Sequence, residues 1–183
     1  MLRYLFFSLL SLSCSIAQAS TPSQASPPVH SCRTPLRNLS SFAVLPIFAL
    51  SNPTHAHLYE QTYQILKTEL GKIGEIQELK MNNLAGLTLA GAFLAINIEN
   101  ITIPGSNNIS ITKTSLAIET MTTIKKSDVD YLAHIWERNL FTEDDSDKTI
   151  IASIQKLVQQ FTACYQTCNT QEPKKPTFYL YKS

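Results

Sequence analysis

Cysteine supplies the most reactive side chains in this sequence, at positions 14, 32, 164 and 168. If the chain is exported, Cys32, Cys164 and Cys168 are disulfide candidates, because an oxidising compartment makes a disulfide the default state. Three cysteines leave one over. On a helix, Cys164 and Cys168 stand one turn apart with parallel side chains, so a bond between them needs distortion. Pairing Cys32 with Cys164 or with Cys168 is easier, and it would tie a linker end to the last helix. The alternative is three buried, reduced thiols.

The same residues offer zinc ligands through His30-x-Cys32 and Cys164-x3-Cys168, but structural zinc sites use Cys-x2-Cys pairs. His55-Ala56-His57 has only Glu60 nearby to complete a metal set and reads as an exposed helix start. Glu143-Asp144-Asp145-Ser146-Asp147 lacks the glycine and closing glutamate of a calcium loop in register, and reads as helix-capping residues. There is no G-x-S-x-G, phosphate-cradling loop or zincin helix. The sequence therefore predicts no catalytic residue, no cofactor and no metal site.

Compartment follows from the first nineteen residues. Arg3 is a positive start, Leu5 to about Ile16 is an apolar core, and Ala17-Gln18-Ala19 is a small-x-small cleavage pattern. The apolar core is shorter than the roughly 20 residues of a membrane-spanning helix. Ser11-Leu12-Ser13 before Cys14 is a poor lipidation pattern, so a lipid anchor at Cys14 is not the expectation. The chain has 183 residues, with 15 Lys plus Arg against 14 Asp plus Glu. Loss of Arg3 with the leader leaves 14 against 14, which excludes the surplus cations of a nucleic-acid-binding protein. A charged fraction of 16% against 44% hydrophobic excludes a disordered chain.

The expected organisation is a signal peptide over 1–19, a Ser/Pro-rich linker over 20–40, a folded domain over 41–168 and a C-terminal tail over 169–183. Phe42 to Phe48 is a continuous apolar run that suits a central strand ending near Pro46. Tyr59, Tyr63, Leu66, Leu70 and Ile73 form a helical stripe over 57–73, and Ile150, Ile154, Leu157, Phe161 and Cys164/Tyr165 form another. Glu75 to Leu79 reads as a weak strand, and 82–91 as either a helical turn or a loop. Leu94, Ile96 and Ile98 alternate, then Ile101 and Ile103 resume after a slip at Asn100 that predicts a β-bulge. With Pro104 to Asn108 as a turn, 93–124 reads as a long antiparallel hairpin. A further strand is predicted over 132–140, with Leu132, His134, Trp136 and Arg138 on one face. The prediction is an α+β two-layer sandwich, with a mostly antiparallel sheet of about five strands and two helices on one face.

This pattern resembles small secreted bacterial α/β proteins of uncharacterised function. The shared features are a signal peptide, a strand, and a helix of the type Leu66-x-x-Glu69-Leu70-x-x-Ile73-Gly74. A long hairpin, a strand bearing Trp136 and a closing helix from Ile154 through Leu157-Val158 and Phe161 to Tyr165 follow. Related sandwiches occur in envelope-assembly proteins, including the N-terminal module of the Tol system's propeller protein. The resemblance implies a periplasmic or secreted protein of the cell envelope, with a protein partner and an interaction role. The competing expectation is a small periplasmic enzyme or ligand binder with a site on the open sheet face. There Asn97, Glu99, Thr112, Lys113 and Thr114 are polar, without chemical convergence.

Intact-mass analysis of exported protein should find a mature chain beginning near Ser20 and no acyl group. A diacylglyceryl mass on Cys14 would overturn this.

Overall fold

Phe42, Ala43 and Val44 are wholly buried, and they belong to strand β1 (Ser41–Pro46), which runs inside the sheet. The computed structural model describes residues 36–46, 53–80, 83, 85–104, 109–124, 129–170 and 175–182. After β1, a 3₁₀ turn (Pro53–Leu58) leads into α1 (Tyr59–Gly71), then β2 (Glu75–Lys80) and the short α2 (Ala85–Leu89). Strands β3 (Ala92–Thr102), β4 (Ser110–Ile124) and β5 (Val129–Thr142) follow, then α3 (Asp147–Cys168) and β6 (Thr177–Lys182). The leader, Cys14, His30, Cys32 and the turn at 105–108 lie outside the described residues.

The class is α+β, but the sheet is not mostly antiparallel and has more than five strands. It is mixed and six-stranded, in the order β2-β6-β1-β3-β4-β5. Strand β1 is parallel to both β3 and β6, and β2 is parallel to β6. Only β3–β4 and β4–β5 are antiparallel. The cause lies in the connections. Helix α1 joins β1 to β2 and α3 joins β5 to β6, and helical crossovers return the chain in a parallel sense. Residues 169–183, read from sequence as a tail, contain β6. Its run Phe178-Tyr179-Leu180-Tyr181 is buried throughout, as a strand between two parallel neighbours should be.

Helices α1 and α3 cover one face of the sheet, called here the inner face. Leu66, Leu70, Ile96, Ile154, Leu157 and Phe161 are each 2% exposed or less and share one cluster, as their helical and strand periods predict. Helix α2 lies on the opposite, outer face. A Cβ added at Gly86 would come within 2.5 Å of Leu79 Cδ1 and 2.7 Å of the Tyr181 hydroxyl, so only glycine lets α2 approach so closely.

Helix α3 starts as its acidic and hydroxyl residues predict. Ser146 is the N-cap, and its Oγ accepts from Thr149 N at 3.4 Å. Asp144 accepts from Ser146 N at 2.9 Å and from Thr149 Oγ1 at 2.5 Å, which holds its carboxyl below the ordinary range. Where α1 meets α3, Glu69 is 5% exposed; Lys72 Nζ donates to it at 2.6 Å and Gln159 Nε2 at 3.4 Å. The Lys72 bond is the main reason its carboxyl lies below its ordinary value of 4.5, against the opposing effect of burial.

Two tests follow from this packing. Leu157→Ala should cost about 2–5 kcal/mol in urea unfolding, because a wholly buried leucine leaves a cavity. A depressed folded-state pKa stabilises above the unfolded value and is lost as pH falls through the folded one. Glu69→Gln should therefore lower the urea midpoint at neutral pH, and the gap to the parent chain should narrow progressively below pH 4.5.

Candidate functional site

Strands β3 and β4 pair in unbroken register from Phe93 opposite Glu119 to Thr102 opposite Ser110. The bulge predicted at Asn100 is therefore absent. Asn100 faces Thr112 in the ladder, and Thr112 Oγ1 donates to Asn100 Oδ1 at 3.1 Å. The slip in the apolar pattern has another cause, a change of face. Leu94, Ile96 and Ile98 of β3, with Leu116 and Ile118 of β4, point inward and are at most 2% exposed. Further along the hairpin, Ile101 and Ile111 oppose each other on the outer face. Ile103 and Ile109 continue the same alternation, joined by Ile103 N donating to Ile109 O at 3.1 Å. Ile101, Ile103 and Ile109 are 39%, 39% and 43% exposed. Phe141 of β5, opposite Lys113, adds a ring that is 60% exposed.

Behind this apolar tip runs a charged belt. Lys113 Nζ lies 3.7 Å from Glu99 Oε2 and 3.9 Å from Glu137 Oε1, so one lysine bridges three strands. Asn97 Nδ2 donates to Glu99 Oε1 at 2.7 Å. Of the polar residues expected on this face, Asn97, Glu99 and Lys113 are there. Thr112 and Thr114 are buried on the inner face, 1% exposed, because in-register pairing places even-numbered residues of β4 inward. Beyond the belt, Ala95, Ser115 and Ala117 make a small-residue floor.

At the far end, His134 Nε2 meets Glu119 Oε1 at 2.8 Å. The expected grouping of Leu132, His134, Trp136 and Arg138 on one face does not hold. The register shifts at Ile118/Glu119, and Ile135 of β5 takes no partner in the ladder. That bulge turns His134 and Leu132 outward and leaves Trp136 inward, 6% exposed. Leu132 opposes Met121, and the two are 49% and 56% exposed.

The remaining candidates fall elsewhere. His55 is buried, whereas His57 is exposed and its Nε2 pairs with Asp147 Oδ2 at 2.8 Å, so the two histidines do not converge. No group of three or more His, Cys, Asp or Glu side chains among the described residues is gathered to hold a metal ion. Cys164 is buried, while Cys168 is half-buried in the last turn of α3, and Cys32 lies outside the described residues. A cleft of about 610 Å³ separates the end of β5 from the first turns of α3, lined by Phe141, Asp144, Ser146, Lys148, Thr149 and Lys156 among others. Its hydroxyls and carboxylate mostly bind one another in the cap of α3.

A tyrosine cluster closes the opposite side of the domain. Tyr59 donates through its hydroxyl to the Tyr181 carbonyl, and burial pushes the Tyr63 hydroxyl up to about 12, with the Glu78 carboxylate adding to the effect. Lys67 holds Glu78 at 2.5 Å and draws its carboxyl below the ordinary range.

No helix among the described residues is long and apolar enough to cross a membrane. No protein-family model, curated protein or solved structure matches this chain.

Proposed function

We propose that this protein is an exported, envelope-associated interaction module that engages a protein partner through the tip of its β3–β4 hairpin. The observation that carries the reading is the change of face in both hairpin strands. Four isoleucines that could have pointed inward point outward, together with Phe141. Exposed apolar side chains are ordinary when scattered singly, but a contiguous patch on one face marks an interaction surface. The belt around Lys113 supplies a polar rim of the kind that borders such surfaces. The leader, with Arg3 and Ala17-Gln18-Ala19, supports export.

A competing reading, a small enzyme or ligand binder on the outer face, draws on the Glu119–His134 pair. The floor residues nearest that pair, Ala95 and Ala117, offer neither a nucleophile nor a second charge, and the one hydroxyl of the floor, Ser115, stands four residues from Glu119 along β4. The interaction reading therefore accounts for more of the face.

Quantitative capture of an envelope protein should fall at least tenfold when Ile101→Asp and Ile103→Asp are combined, with circular dichroism unchanged. Glu119→Gln should leave capture as it is. Capture unaffected by the tip variants, or lost only with Glu119→Gln, would overturn the assignment to the tip.

A further inference from the structure

We propose that the cleft between β5 and α3 binds an acidic segment of the protein partner, with an apolar side chain beside Phe141 and a carboxylate between Lys148 and Lys156. The inference rests on the interaction reading above and extends its surface from the hairpin tip to the helix. The cleft holds about 610 Å³, and Phe141, an exposed ring of the tip patch, also lines it. The two surfaces are therefore continuous.

Helical spacing builds one wall. Lys148, Thr149, Ala152, Ser153 and Lys156 all line the cleft, and their intervals of three and four residues make them one stripe of α3. Lys148 and Lys156 stand about 12 Å apart along the helix axis, at 1.5 Å per residue. Ala152 lies midway between them, and its small side chain leaves the helix surface open to an incoming group. On the strand side, half-buried Leu140 and exposed Phe141 supply apolar contact. Arg138 shares the face of Leu140 by strand alternation and adds a third cation along β5, its guanidinium 5.8 Å from the Trp136 ring.

The charge of the cleft is uncompensated. Asp144 is the one carboxylate in its lining, and it is occupied by Ser146 N, Ser146 Oγ and Thr149 Oγ1. Asp147 is taken by His57. Among the described residues, neither Lys148 nor Lys156 forms an ion pair. Ser153 is a second vacant partner. It is 7% exposed and lines the cleft. Thr162 and Thr167 of the same helix donate to carbonyls of the preceding turn at 2.9 Å, whereas the Ser153 hydroxyl makes no hydrogen bond among the described residues. A buried hydroxyl without a partner carries a cost that an incoming acceptor removes. An inorganic anion would satisfy the lysines but leave Leu140 and Phe141 uncovered. A nucleic acid or an anionic membrane calls for a larger basic cluster than this cleft holds. A peptide bearing carboxylate and apolar side chains together matches both walls.

The test is an NMR titration of the full nitrogen-15-labelled chain with the capped peptide Gly-Leu-Asp-Leu-Asp-Gly. The amides of Thr142, Thr149, Ala152 and Ser153 should shift, and the same peptide with Asn in place of Asp should bind roughly tenfold more weakly. Lys148→Gln combined with Lys156→Gln should weaken the acidic peptide by a similar factor, with circular dichroism unchanged. Ala152→Trp, which fills the exposed floor between the lysines, should block it. Ile101→Asp combined with Ile103→Asp should leave peptide affinity unmoved, so failure of the tip assignment appears in partner capture and failure of the cleft in the titration. No amide shifts at the cleft, equal affinity for the two peptides, or full affinity in the lysine variant would overturn the inference. Binding of phosphatidylglycerol vesicles through the same lysines, without a response to the peptide, would overturn it in favour of a membrane surface.

Discussion

Phe161 is the point on which the packing turns. Its ring lies 5.8 Å from Phe42, 5.8 Å from Trp136, 6.4 Å from Phe178 and 6.0 Å from Tyr165. Those partners come from β1, β5, β6 and α3 itself, so one side chain joins strands from across the sheet to the helix that covers them. Edge contacts predominate, and Phe42 stacks on Phe178 at 5.2 Å, the arrangements aromatic rings prefer. Seating α3 this way requires β6 to be in place. Strand β6 lies between β1, the first strand among the described residues, and β2. The parallel half of the sheet therefore closes only when β1 and β6, more than 130 residues apart in sequence, have paired, a non-local arrangement that slows folding.

The same constraint explains why the hairpin can carry an exposed tip. Inward residues from Leu94 to Ile98 and from Leu116 to Ile118 dock on α3 and fix the register. A one-residue slip would turn every one of them outward, which the buried half forbids. The outer half of the same strands is then held by a register it does nothing to set. Its side chains are released from packing, and Ile101, Ile103 and Ile109 remain accessible.

Much of this was legible in the sequence where period and burial agree. The stripes of α1 and α3 and the hairpin follow from spacing alone, and residue type places the cap of α3 within the acidic and hydroxyl run, where Ser146 takes it. The sheet's sense was not, because parallel pairing depends on where crossovers deliver strands, and β6 carries a short run resembling any buried aromatic segment. The slip at Asn100 was visible but ambiguous. A bulge and a change of buried face both break a period of two, and only the partner strand separates them. Strand β4 changes face at the same level, from Ile109 and Ile111 to Leu116 and Ile118, and that agreement was the readable signal. The bulge in β5 at Ile135 left no such trace, since Leu132, His134 and Trp136 alternate without interruption.

The edges bear on how the proposed partner would be met. A sheet can recruit another chain by adding a strand, and β2 and β5 are the edge strands among the described residues. Strand β2 is six residues long and carries Glu75, Glu78 and Lys80, with Glu78 committed to Lys67. Strand β5 is longer, but its bulge at Ile135 and the polar run of His134, Glu137, Arg138 and Asn139 interrupt it. Short length, charge and bulges are the devices that discourage edge pairing. Strand addition is thus disfavoured at both edges, while the outer face at the hairpin tip combines apolar area with a polar rim. Contact through side chains there, rather than backbone pairing at an edge, is the mode of association this architecture leaves open.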